Sequence, residues 1–158
     1  MTDRLAAAEV LLANLVGFAS ISGQPNGSIV NYIKTYLESH GVIVHLDSHE
    51  DGERFNLFAS IGPQIDGGIL LSGHLDVVPA NPAGWSRDPF VLHKQDGRLY
   101  GRGTADMKGF LAIVLAMAPA FQEAASQLAK PVHIAFTFDE EVGSFGAAQM
   151  PSMMDRLG

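Results

Sequence analysis

Two short runs constrain this chain more than any other feature. GILLSG (68–73) and VHIAFTF (132–138) are apolar almost end to end, and each leads directly into a cluster of His, Asp or Glu. Apolar runs of this length, without the alternation of a strand half in water, suit strands of an α/β sheet covered on both faces. Helical patterns separate the strand patterns. FLAIVLAMA (110–118) predicts a long helix starting just after Asp106, with Pro119 kinking or ending it. Leu5, Ala8, Leu12, Leu15 and Val16 fall near helical spacing and predict an amphipathic first helix rather than a signal peptide, because Glu9 and Asn14 interrupt the apolar region. Ile29, Ile33, Tyr36 and Leu37 form the stripe of a second helix, with Ser28 as its cap and Gly41 after its end. VIVHL (42–46) and NLFASI (56–61) read as further strands, and FVLHK with RLY as a hairpin about Asp96-Gly97. Ser144 is the expected cap of a last helix. The fold class that follows is α/β, a layered sheet between helices.

Composition narrows the function. The 158 residues, 47% hydrophobic and 17% charged, can bury one domain core and exclude a disordered chain. Ten Lys+Arg against 17 Asp+Glu give a net charge of −7, which argues against nucleic acid or anionic lipid as a main partner, since both need a basic face. The longest apolar stretch, 110–121, is about a dozen residues, short of the ~20 that cross a bilayer, so no membrane partner is expected and the cytoplasm is the default location. With no cysteine, disulfides, thiolate catalysis and Cys-ligated zinc are excluded, and any metal must be held by His and carboxylate.

Three polar clusters carry the candidate chemistry. SGHLD follows the first run and DEE follows the second, so both lie at strand C-terminal ends, where open α/β sheets bind ligands. GRGTADMKG leads into a helix N-terminus. His74 and Asp76, two apart in extended chain, share a face, so Asp76 is placed to accept a hydrogen bond from the imidazole nitrogen that does not bind metal. Glu140 and Glu141, as extended neighbours, point opposite ways, so that one binds metal while the other faces a water or substrate. Each cluster taken singly also fits a plainer role. His74 suits a structural hydrogen bonder, 139–141 a solvated turn, the glycines of GRGTADMKG a tight turn, and Lys108 a surface residue. His40, His45, His49, His93 and His133 read as structural or surface residues.

Taken together and in order, SGHLDVVP, GRGTADMKG and TFDEEVG resemble the three N-terminal motifs of the M20 metallopeptidase and deacylase family. Within it, NLFASIGP, the tract from GWSRDP to MKGF, and DEEVGSFGA look most like the acetylornithine deacetylase branch, with succinyl-diaminopimelate desuccinylases the nearest alternative. The resemblance implies two divalent metal ions, Zn2+ or Co2+. His74 would be a terminal ligand of the first, oriented by Asp76. Asp106 would bridge both, its peptide to Met107 cis. Glu140 would be general base and acid, and Glu141 a ligand of the second ion. The implied partner is a small N-acylated amino acid, and the intact enzyme would be a homodimer. The family's next acidic ligand, its inserted lid or dimerisation domain and its late His all lie beyond Gly158. Residues 1–158 therefore read as the N-terminal part of a catalytic domain, or else as a non-catalytic metal-binding module.

Overall fold

The computed structural model describes residues 2–157. Helix α1 (Thr2–Gly17) and helix α2 (Gly27–Ser39) precede strands β1 (Val44–Ser48), β2 (Phe55–Ile61) and β3 (Ile69–His74). A short hairpin, β4 (His93–Gln95) and β5 (Arg98–Tyr100), then leads to helix α3 (Gly109–Glu123), strand β6 (Val132–Thr137) and helix α4 (Phe145–Leu157). The main sheet runs β1-β2-β6-β3, with β6 antiparallel to β2 and parallel to β3. Because β3 and β6 run in the same direction, with His74 opposite Thr137, the SGHLD and DEE segments leave the sheet side by side at one edge.

The side-chain period of a strand sorts the core into two layers. Leu57, Ala59 and Ile61 of β2 join Ile134 and Phe136 of β6 beneath α1, α2 and α3. The opposite-facing Phe58 and Ala135 pack against Met150 and Met153 of α4. A sheet between helices is therefore what this chain builds, as its patterning predicts. The hairpin turn puts both Asp96 and Gly97 at positive φ (51° and 72°), the pair of dihedrals that a two-residue turn needs to match strand twist.

Several local expectations are corrected. β6 is buried on both faces, whereas β3 is the last strand of the sheet that the described residues form. Ile69 and Leu70 are exposed, and only Gly73 and His74 at its end are buried. The first strand occupies 44–48 rather than 42–46. The Val42 amide instead bonds back to Leu37 at the end of α2, and pairing of Val44 with Ala59 sets the register. Ser28 lies inside α2. Asn26 stands before it, and its side chain is taken up by both main-chain groups of Phe55. α3 continues through Pro119 to Glu123. The 20-residue stretch Thr104–Glu123 is apolar and long enough to cross a membrane by length and composition alone. Its apolarity has a packing explanation, because Leu111, Ala112, Val114, Leu115 and Ala118 are buried in the main core.

Candidate metal centre

Three loops bring the candidate residues together. His74 closes β3, Asp106 lies in the wide turn 104–108 before α3, and the acidic turn 139–141 follows β6. Gly73 lets the turn approach β3, since a Cβ there would stand 2.8 Å from Leu111 Cδ2 and 3.0 Å from Met107 Cε. The Asp106-Met107 peptide is cis. One ligand atom each from His74, Asp106 and Glu141 lie within 4.8 Å of one another. His74 Nε2 is 3.0 Å from Asp106 Oδ1 and 3.8 Å from Glu140 Oε2. Glu140 and Glu141 sit in a turn rather than in extended chain, so both stand near the imidazole instead of pointing apart.

Asp76 binds differently from the spacing argument. His74 Nδ1 donates to the main-chain carbonyl of Asp76 at 2.9 Å, while the Asp76 carboxylate is 3.5 Å away. That carboxylate is already committed. It accepts the Ser22 hydroxyl (2.7 Å) and the amides of Glu140 (3.0 Å) and Glu141 (3.2 Å). The carbonyl can only accept, so it fixes the proton on Nδ1 and leaves Nε2 to face Asp106, the outcome a metal-ligating imidazole needs. Asp76 thus ties the β3 end to the acidic turn through that turn's own amides.

The electrostatics follow from this packing. Burial disfavours the imidazolium of His74, but the facing carboxylates of Asp76 and Asp106 outweigh it and raise its pKa to about 9. Burial likewise disfavours the Asp76 carboxylate, yet the His74 imidazole beside it and the hydrogen bonds from Ser22 and the two amides hold it at about 2. Burial and then the neighbouring Asp106 charge push Glu141 upward. One imidazole and two mutually repelling carboxylates form a nitrogen-and-oxygen donor set that a divalent cation would neutralise. The residues present therefore fit a metal ion.

Two residues given plainer roles by sequence are deeply placed. Lys108 is fully buried, and its ammonium donates to the carbonyls of Leu15 (2.9 Å) and Phe18 (2.6 Å) at the end of α1. Burial lowers its pKa to about 8. It fastens the turn carrying Asp106 to the first helix. Asp139 is 2% exposed rather than solvated, and pairs with Arg54 and the Gly23 amide.

Residues 70–157 match the sequence profile of peptidase family M20/M25/M40. The chain belongs to that family. M20 members are metal-dependent hydrolases, in keeping with the donor set at His74, Asp106 and Glu141. An acetylornithine deacetylase of Proteus mirabilis (strain HI4320) is 39% identical over 145 residues, 87% of this chain but 36% of the relative. Human carnosine dipeptidase 1 superposes with a TM-score of 0.79 at 26% identity, over 96% of this chain and 36% of that one. An M20 metallo-carboxypeptidase from Sulfolobus solfataricus gives 0.80 at 26% identity, over 96% and 35%. The chain thus spans about a third of the length of the M20 relatives it matches.

Proposed function

We propose that residues 1–158 form the N-terminal part of the catalytic domain of a two-metal amide hydrolase that removes the acetyl group from N2-acetyl-L-ornithine in the cytoplasm. The observation that carries the reading is the convergence of His74, Asp106 and Glu141 from three separate loops. The substrate rests on the likeness to an acetylornithine deacetylase. His74 and Asp106 would hold one ion, and Asp106 and Glu141 the other. The side chain of Asp106 is 74% exposed, with Oδ1 facing His74 Nε2. When bound, Zn2+ or Co2+ supplies a Lewis acid for the amide carbonyl and acidifies a water.

The chain's own part is proton transfer and orientation. Glu140, with a side chain 46% exposed beside His74, takes the proton of the attacking water. A C–O bond forms at the acetyl carbon as the amide C–N bond breaks. Glu140 then returns the proton to the departing amine, giving acetate and ornithine. Asp76 holds the amides of Glu140 and Glu141 throughout.

The test uses the full-length protein with N-acetylornithine and with N-succinyl-diaminopimelate. Glu140→Gln should lower kcat by about 10²–10⁴-fold with the metal content kept, the usual range for removing a general base. Glu141→Gln should lose metal first. Faster turnover of the succinylated substrate would move the protein to the desuccinylase branch. Loss of metal in Glu140→Gln would overturn the division of roles.

A further inference from the structure

We infer that Arg54 is a positioning residue for the hydrolysis, fixing through Asp139 the turn from which Glu140 and Glu141 reach the centre. The inference rests on the roles just proposed for those two glutamates. Arg54 stands immediately before β2, 85 residues from Asp139 in sequence, and is part of none of the three motifs. Its Nη1 donates to Asp139 Oδ2, its Nε donates to Asp51 Oδ2 at 2.7 Å, and its guanidinium lies 5.6 Å from the centre of the Phe138 ring. The other Asp139 oxygen accepts the Gly23 amide at 2.7 Å.

Both oxygens of this buried carboxylate are therefore held by groups outside its own turn. Asp139 also has φ +53°, a left-handed backbone that a non-glycine residue seldom adopts without being held there. With the side chain anchored and the backbone so turned, the next two amides, of Glu140 and Glu141, point at the two oxygens of Asp76. The acidic turn is thus gripped from both sides, by Arg54 through Asp139 and by Asp76 through the amides. Without Arg54, Asp139 would be a buried charge lacking its ion-pair partner. The turn would open to hydrate it and carry the two glutamates with it. A planar fork reaches Asp51 and Asp139 at once, which a lysine ammonium on a thinner stem does not reproduce.

The test compares Arg54→Ala, Arg54→Lys and Asp139→Asn in the full-length protein, with Glu141→Gln as reference. It reads kcat, KM and Co2+ affinity from visible absorption. Arg54→Ala is expected to lower kcat by about 10–100-fold, the cost of misplacing reacting groups by about an ångström, with KM within about twofold. Co2+ should bind about 10–100-fold more weakly, as when a ligand's support is lost. Added guanidinium should restore part of the kcat, Arg54→Lys should recover little, and Asp139→Asn should share the defect. Wild-type kcat and Co2+ affinity in Arg54→Ala would overturn the inference. So would a loss that tracks unfolding, ignores guanidinium and moves kcat and KM together. If Glu141→Gln itself binds Co2+ normally, it is the ligand assignment that fails. If Glu141→Gln loses metal while the Arg54 variants do not, only the role of Arg54 fails.

Discussion

Replacing Asp76 with Asn probes the tie between the β3 end and the acidic turn. The carboxylate is 4% exposed and holds three donors besides its neighbour His74. Its pKa of about 2 in the fold, against 3.8 for an unperturbed aspartate, means that the folded state binds the proton more weakly than the unfolded one. The group therefore contributes stability above pH 3.8 and loses it as the pH falls toward 2. The difference corresponds to about 2–3 kcal/mol at neutral pH, of which about half survives at pH 3. The amide also presents an N–H₂ where Asp76 offered an acceptor, leaving one donor without its partner. Urea unfolding of the metal-free protein should place Asp76→Asn about 2–3 kcal/mol below wild type at pH 7, with the gap closing to about 1 kcal/mol at pH 3. A gap below about 0.5 kcal/mol at pH 7, or one that does not change with pH, would refute the reasoning, since the carboxylate's partners would then not favour its charged form.

Two further outcomes are expected. With His74 raised to about 9, the metal-free imidazole carries both protons at pH 7, so binding Zn2+ should release about one proton there. Because the proton competes with the metal, apparent affinity should rise by about tenfold per pH unit up to about pH 9, and calorimetry in buffers of different ionisation enthalpy counts the proton. No release at pH 7 would sink it. Lys108→Met should destabilise the chain by about 2–4 kcal/mol in urea unfolding, because the carbonyls of Leu15 and Phe18 lose their donor, whereas a change under about 0.5 kcal/mol would show that they need none.

The layers and the location of the candidate centre are legible in the sequence because both rest on short-range signals. Strand runs alternate with helical stripes, and polar clusters stand at the ends of GILLSG and VHIAFTF. What it hid depends on pairing over long separations. GILLSG looks like a covered strand, yet among the described residues β3 is hydrogen-bonded only to β6 in the main sheet. Lys108 looks like a surface lysine, but its partners lie 93 and 90 residues away at the end of α1. Arg54 follows the polar run SHEDGE (48–53), and nothing nearby in sequence announces Asp139. The spacing of His74 and Asp76 points to a contact between the two, and His74 Nδ1 does meet Asp76, at its main-chain carbonyl. Spacing alone does not reveal that atom, because the donors that occupy the carboxylate come from Ser22 and from the acidic turn.

The segment between α1 and α2 carries a consequence for how this chain tolerates change. Ser20 and Ile21 run alongside Leu75 and Val77, Ser22 donates to Asp76, and Gly23 donates to Asp139. Connections between helices are ordinarily where insertions and deletions accumulate. Here one added or deleted residue would shift two consecutive donors off two carboxylates that belong to different loops. The length of this connection is therefore set by groups 54 and 116 residues further along the chain. A helix-helix linker that touches no candidate ligand should vary in length as little as the loops that carry the ligands.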